Sequence, residues 1–562
     1  MIALRSLTRT FALVFLSLSF TSCFKPRSYR TLLDPSNVQV SDRFSSRPQL
    51  VVGITVDQMR LDYLYRYWHL FGDDGFKRLV NDGFICTNHH YDYGPTVTAP
   101  GHASIYTGTT PAMHGIIAND WHERNAGTAY CTSDSSVFGI GTTSEKGKMS
   151  PHRMLTSTVG DELRLSNNFK SKVIGISLKD RGAILPAGHA GNGAYWFTFK
   201  NEGNWVTSSY YTEALPQWVQ DFNAKRLPDT YIAQGWELLL APEVYDISYM
   251  DNNPYEGPFR GQLRAAFPYD FSTITENKYD VMGSAPHGSS LTVDFALAAI
   301  AGEDLGSDEH TDLLAVSFSS PDYAGHQFGP QSMEVQDTYL RLDRDIARLL
   351  NYLDTKIGVN QYTVFLTADH GGAPVPGYTA NYGIPGGYWR PQAMLDDVNQ
   401  ALQKQFGAGE WIEAYSNDQI FFNTGVLEKY NISADQASAV AAPICKGYDE
   451  VLHVYTKTEL LGGAFTDLIV QLTQRGIHPQ RSGDLIVVTR PGYIEHSLTG
   501  TTHGSPFSYD THVPLIFYGK GIKVGELSRR TNTRDIAPTV SRLMRVSQPS
   551  GCTGDVIHEL VD

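Results

Sequence analysis

Four apolar runs punctuate this chain, and each ends in or closely precedes a carboxylate or a histidine. LVVGITV (50–56) runs into Asp57. LLAVSFSS (313–320) runs into PDYAGH, which carries Asp322 and His326. YTVFLTA (362–368) runs into DHGG, with Asp369 and His370. DLIVVT (484–489) comes shortly before GTTHGSP, with His503. Continuous apolar runs of this length read as buried parallel strands. Open α/β sheets bind ligands outside the carboxyl ends of their strands. Residues more than 400 positions apart are therefore expected to meet at one sheet edge. Three Asp and three His gathered there carry strong negative potential. Two divalent ions would neutralise it, and mixed His and carboxylate ligands suit zinc. The chain reads as a two-metal hydrolase.

The runs alternate with helical patterns near 61–82, 153–166, 291–304 and 533–544. This predicts an α/β fold, a mostly parallel sheet with helices on both faces. Periodicity weakens over two stretches, which read as inserted cap segments near 183–285 and 373–480. Residues 48–562, with these two insertions, read as one catalytic domain. Asp343 and Asp345, in the charged run RLDRDIARLL, read as a solvated helix face.

The N-terminus reads as an export signal over residues 1–22. Arg5 and Arg9 precede an apolar FALVFLSLSF that is too short to span a bilayer. Cys23 follows small residues, as at a lipid-attachment site, and residues 23–47 read as a tether. The expected location is the periplasm or the outer membrane of a Gram-negative bacterium, with a possible lipid anchor on Cys23. A net charge of −14 and the lack of a Lys/Arg run exclude broad nucleic-acid binding. Beyond Cys23 stand Cys86, Cys131, Cys445 and Cys552, which could form one or two disulfides after export. None has zinc-finger spacing.

The segment TVTAPGHASIYTG (96–108) is the other informative stretch. Thr98 reads as a helix N-cap with Pro100 in the first turn. A helix start offers free N–H groups and a positive dipole end to a phosphate or sulfate. A Thr hydroxyl is a weak nucleophile unless a cation or base activates it.

Asp57, the Thr98 segment, PDYAGH, TADHGG and TTHGSP occur in the order seen in the alkaline phosphatase superfamily. GIIANDW, with Asn119, and ISLKDRGAI, with Lys179 and Arg181, narrow the resemblance to the PafA-type bacterial periplasmic enzymes. The resemblance implies two zinc ions. Asp322, His326 and His503 would hold one. Asp57, Asp369 and His370 would hold the other, with Thr98 bridging towards it. It also implies that Thr98 is the nucleophile, forming a phosphothreonine, and that Asn119, Lys179 and Arg181 hold phosphoryl oxygens. The substrates would be small phosphate monoesters and the protein a monomer. A phosphodiesterase or nucleotide pyrophosphatase on the same fold is the alternative. Two cations at 179 and 181 favour a monoester, whose free oxygens carry more charge. A sulfatase is disfavoured because the Thr98 segment lacks the C/S-x-P-x-R pattern.

Overall fold

The computed structural model describes residues 47–124 and 126–561. The expected leader, Cys23 and all of the tether but Arg47 lie outside them.

A ten-stranded sheet organises the chain. Its centre is five parallel strands. β1 (Leu50–Val56), β2 (Val173–Ser177), β3 (Gly193–Thr198), β5 (Asp312–Phe318) and β6 (Tyr362–Thr367) lie in the spatial order β6-β1-β5-β2-β3. Two antiparallel strands flank them: β4 (Asn204–Ser208) beside β3, and β7 (Leu515–Gly519) beside β6. β1, β5 and β6 are buried along their whole length. Alternate residues face opposite sides, as a strand requires. Leu50, Val52, Ile54 and Val56 join one core, and Val51 joins the other with Leu313 and Phe365.

Helices cover both faces. α3 (His287–Gly302) and α5 (Met333–Leu353) pack on the first core. α1 (Thr98–Thr107) and α6 (Ile536–Met544) pack on the second. Two further helices start at the strand ends: α2 (Asp180–Ala187) and α4 (Ser320–Phe328). Register places the site. Val56 pairs with Phe318, Thr55 with Thr367, and Ser317 with Ser177. The parallel strands therefore end level, and the residues after them emerge along one edge.

Some expectations fail for local reasons. The 61–82 helix is broken into Asp62–Tyr67 and Phe76–Asn81, with a 3-10 turn at Trp68–Leu70. The helix expected from 153 starts at Val159, behind a capping box formed by Thr158 and Asp161. Residues 183–285 begin by widening the main sheet with β3 and β4 before entering irregular structure. DLIVVT does not join the main sheet. Leu485–Thr489 lies in a separate four-stranded antiparallel sheet with Ile412–Ser416, Gln419–Phe422 and Val451–Thr456. Both its faces are covered, Leu485 and Val487 on one core, Ile486 and Val488 on another. Burial on two faces gives an antiparallel strand the same apolar run as a parallel one. Asp343 and Asp345 are buried, not solvated. Asp343 accepts N–H bonds from Gly72 and Phe76, and Asp345 accepts from Ser290 and Arg348. The four cysteines of the described residues are unpaired, so the expected bridges do not form; Cys86, Cys131 and Cys445 are buried. Among the described residues, no helix is long and apolar enough to cross a membrane.

Candidate active site

The level strand ends bring Asp57, Asp322 and Asp369 together, all buried. Asp57 directly follows β1, and its N–H is held by the Phe318 carbonyl at 3.0 Å. Asp369 follows β6 by two residues. Asp322 sits in the first turn of α4, and His326 lies one turn on, with its Nε2 3.2 Å from Asp322 Oδ1. His370 Nε2 lies 3.4 Å from Asp57 Oδ1 and 3.5 Å from Asp369 Oδ2. His503 arrives on a loop rather than a strand end, with its Nε2 3.5 Å from Asp322 Oδ1. The His370 and His503 rings stack at 3.5 Å between centroids.

These groups fit cations. Asp57 Oδ1 and Asp369 Oδ2 are buried without a hydrogen-bond partner among the described residues, a costly state for a carboxylate oxygen. Ligand atoms of Asp57, Asp369 and His370 lie within 4.8 Å of one another, as do those of Asp322, His370 and His503. His370 thus stands between the two groups. Burial pushes His503 down to about 3 and His370 well below the usual range, so both rings are neutral, as ligation needs. Each histidine turns Nδ1 to a backbone carbonyl: His326 to Thr501 at 2.7 Å, His370 to Gly371 at 2.9 Å, His503 to Thr96 at 2.8 Å. A carbonyl can only accept, so Nδ1 carries a proton in all three. In the neutral rings of His370 and His503, Nε2 keeps its lone pair for the site. Burial works the same way on His326, but the Asp322 carboxylate beside its Nε2 outweighs it and raises that ring's pKa.

Thr98 is the first residue of α1 and Val97 the cap, so the expected N-cap role is not filled. The hydroxyl is left to the site and lies 3.5 Å from His370 Nε2. α1 lies directly against the Asp369 backbone. A Cβ on Gly101 would stand 2.3 Å from the Asp369 carbonyl oxygen, so only glycine fits. His102 braces the helix, with Nδ1 on the Thr98 carbonyl at 2.9 Å and Nε2 on Ser317 at 2.8 Å. Asn119 Oδ1 accepts the Ala99 N–H at 2.9 Å, which leaves its Nδ2 as a donor.

Lys179 caps α2 and Arg181 lies in its first turn, so neither belongs to a continuing strand. The Lys179 ammonium donates to Asp57 Oδ2 at 2.6 Å and Asp322 Oδ2 at 2.5 Å, one carboxylate from each group. Arg181 donates to the Tyr130 hydroxyl at 3.0 Å. Asp180 turns away, accepting from Tyr130 and Thr132.

Two residues of the site had no signal in the sequence. Gln58 adopts a left-handed φ of 64°. Its N–H donates to Asp369 Oδ1 at 3.2 Å and its Nε2 to Asp322 Oδ1 at 2.6 Å, joining the two groups. Backbone strain at such a place is a mark of function, but no residue type announces it. Asp510 joins two loops. Its carboxylate accepts N–H bonds from Gly504 and Ser505 at 3.2 and 2.8 Å, next to His503. Its carbonyl, with that of Tyr509, accepts from Gly371 and Gly372, next to His370. His512, two residues on, stacks on His90 away from the site.

A level parallel edge with buried acids, neutral histidines and a hydroxyl at a helix start defines a phosphohydrolase of the alkaline phosphatase superfamily. The chain belongs to the type I phosphodiesterase / nucleotide pyrophosphatase family, whose model matches residues 51–507. Within it, the enzyme is an alkaline phosphatase. It is 44% identical to alkaline phosphatase PafA of Elizabethkingia meningoseptica over 519 residues, 92% of this chain and 95% of the relative. It is 42% identical to alkaline phosphatase PhoV of Synechococcus elongatus, over 97% of this chain and 98% of the relative. A solved PafA variant, substituted at one Thr, one Asn, one Lys and one Arg, superposes with a TM-score of 0.89 at 43% identity. That match covers 92% of this chain and 99% of the variant.

Proposed function

We propose that this alkaline phosphatase hydrolyses small phosphate monoesters through a phosphothreonine on Thr98. The observation that carries the proposal is the Thr98 hydroxyl at the start of a buried helix, 3.5 Å from His370 Nε2, which in turn lies 3.4 and 3.5 Å from two carboxylate oxygens without a hydrogen-bond partner among the described residues. Two zinc ions are the cofactors proposed. Asp57, Asp369 and His370, with Thr98, would hold one. Asp322, His326 and His503 would hold the other, and His370 is close enough to share. Bound there, zinc would favour the Thr98 alkoxide and balance charge on the leaving oxygen.

The chain's own residues do the rest. α1 aims the hydroxyl, and its first turn favours an anion in front of it. Thr98 Oγ forms a bond to phosphorus as the bond to the leaving oxygen breaks. Water then displaces phosphate from Thr98 and restores the hydroxyl. Asn119 Nδ2 and the Lys179 and Arg181 cations serve the free phosphoryl oxygens, where charge resides through the transition state. The Thr, Asn, Lys and Arg substituted in the solved PafA variant are the same four residue types. Export to the periplasm, a lipid anchor on Cys23, a monomeric state and no binding of nucleic acid complete the proposal.

Acid quenching during turnover should yield a phosphopeptide containing residue 98. Thr98→Ala should abolish turnover while retaining bound metal, and Thr98→Ser should keep part of it. Wild-type turnover by Thr98→Ala would reject the nucleophile. For substrate class, Lys179→Ala/Arg181→Ala should shrink the monoester-to-diester ratio of kcat/KM by about tenfold or more, because two preorganised cations are lost. An equal loss for both esters would favour the phosphodiesterase reading.

A further inference from the structure

A cavity of about 550 Å³ opens beside Lys179 and Arg181. Its walls come from the β3–β4 hairpin, the loop near 146 that lies before β2 in the chain, and the segment around 258–284. An aromatic path leads into it from the phosphate clamp. The Lys179 ammonium sits 4.9 Å from the Tyr323 ring centroid. Tyr323 meets Phe199 edge-on at 5.9 Å, and Phe199 meets Phe197 at 5.3 Å. Tyr323 directly follows Asp322, so the cavity begins one side chain from the proposed cation site.

Its charge is unlike the rest of the molecule. The chain carries −14 overall. The cavity is lined by Lys146, Lys179, Arg181, Lys200 and Arg260 against Asp180, Glu202 and Asp280. The three acids keep their charge but are held by neutral donors, Asp180 by Tyr130 and Thr132, Glu202 by Thr142, Asp280 by the Lys200 N–H, so the lining holds five cations and three acids. Lys200 and Arg260 are exposed, and neither side chain forms an ion pair with a described residue. Unpaired cations at the mouth of an aromatic-walled cavity, in an acidic protein, focus potential on an incoming anion. An aromatic wall suits a planar ring.

Resting on the proposed phosphomonoesterase reading, we propose that this cavity receives the leaving group and favours ring-bearing substrates with a second anionic group. The transferred phosphoryl group would face Thr98. The ring would lie along Phe199 and Tyr323, and the second anion would meet Lys200 and Arg260.

The test compares two aryl substrates, benzene-1,4-diyl bisphosphate and 4-methoxyphenyl phosphate, on wild type and on Lys200→Ala/Arg260→Ala. Both substituted residues are exposed and outside the proposed catalytic set. The double variant should lose about five- to tenfold in kcat/KM for the bisphosphate, the scale of two partly screened charge contacts. The monophosphate should change by less than about twofold. Lys200→Glu/Arg260→Glu should deepen the bisphosphate loss, and high salt should erase the wild-type preference. Equal effects on both substrates, or none, would overturn the cavity's role without touching the phosphomonoesterase reading. Absence of turnover of either substrate by wild type would instead reject that reading, and this proposal with it.

Discussion

The two acid–histidine groups at the sheet edge are built differently. Asp57, Asp369 and His370 stand on the ends of adjacent parallel strands and are sealed, with side-chain exposures of 1%, 0% and 0%. Asp322, His326 and His503 stand on a helix and a loop, and the His326 side chain is 30% exposed. The sealed group is placed by sheet register, which a substitution elsewhere does not move. The open group is placed by bonds outside the sheet: Gln58 and Lys179 hold Asp322, the Thr501 carbonyl holds His326, and the Asp510 carboxylate holds the turn after His503. Electrostatics separates them too. Burial and the Asp57 charge push Asp369 well above the carboxylate range, and burial and Asp322 push Asp57 up to about 6. Burial also works against Asp322, but His326 and Lys179 outweigh it and hold its carboxyl well down.

The largest effect should come from breaking the sealed group. Asp369→Ala should cost about 10³-fold or more in kcat/KM, since a bound cation stabilises the transition state by several kcal/mol. Elemental analysis should show one metal lost, and full activity would contradict the assignment. Next is Gly101→Ala, which forces α1 away from Asp369 while leaving every proposed ligand's identity unchanged. A displacement near 1 Å should cost about 10²-fold in kcat. Metal content should hold, and unchanged kcat would show that the contact yields freely.

Asp510→Ala tests the open group. Releasing the turn at Gly504 and Ser505 should lower metal affinity or activity about 10–100-fold, as loss of an outer-shell partner does. Added zinc should recover part of the activity, and Asp510→Asn should retain more than Ala. Equal metal loss from both groups would erase the distinction between them. The smallest effect is on stability after chelation. Asp369→Asn should raise the Tm of the metal-free protein at neutral pH by about 1–3 °C, because without a cation this buried carboxyl must take up a proton on folding, a cost the amide does not carry. Asp322→Asn should lower it by a similar amount, because Lys179 and His326 lose their partner. Shifts of the same sign would refute the electrostatic contrast.

This contrast also explains what the sequence could reveal. Asp57, Asp322 and Asp369 were legible because an apolar run delivers its next residues to a known edge. Asn119, Lys179 and Arg181 were legible only by resemblance, since nothing in their spacing says what they touch. Residues 484–489 were read into the wrong sheet because two-sided burial leaves no periodicity to separate the cases. Asp343 and Asp345 looked like surface because a helix pattern rich in charge does not record which N–H groups approach it. Gln58 and Asp510 were missed because their roles lie in a backbone angle and in bonds between loops distant in sequence.

The three carbonyl-bound imidazoles have a spectroscopic consequence. Each carries an Nδ1 proton capped by an acceptor, and His370 and His503 are almost wholly shielded from water, with side-chain exposures of 0% and 5%. Those two ring protons should exchange slowly and give resolved downfield resonances in proton NMR spectra, while that of the more exposed His326 exchanges faster. The ring of His503 is tied to Thr96, two residues before Thr98. Its resonance would therefore report the alignment of α1 during titration with inorganic phosphate, with no label attached to the protein.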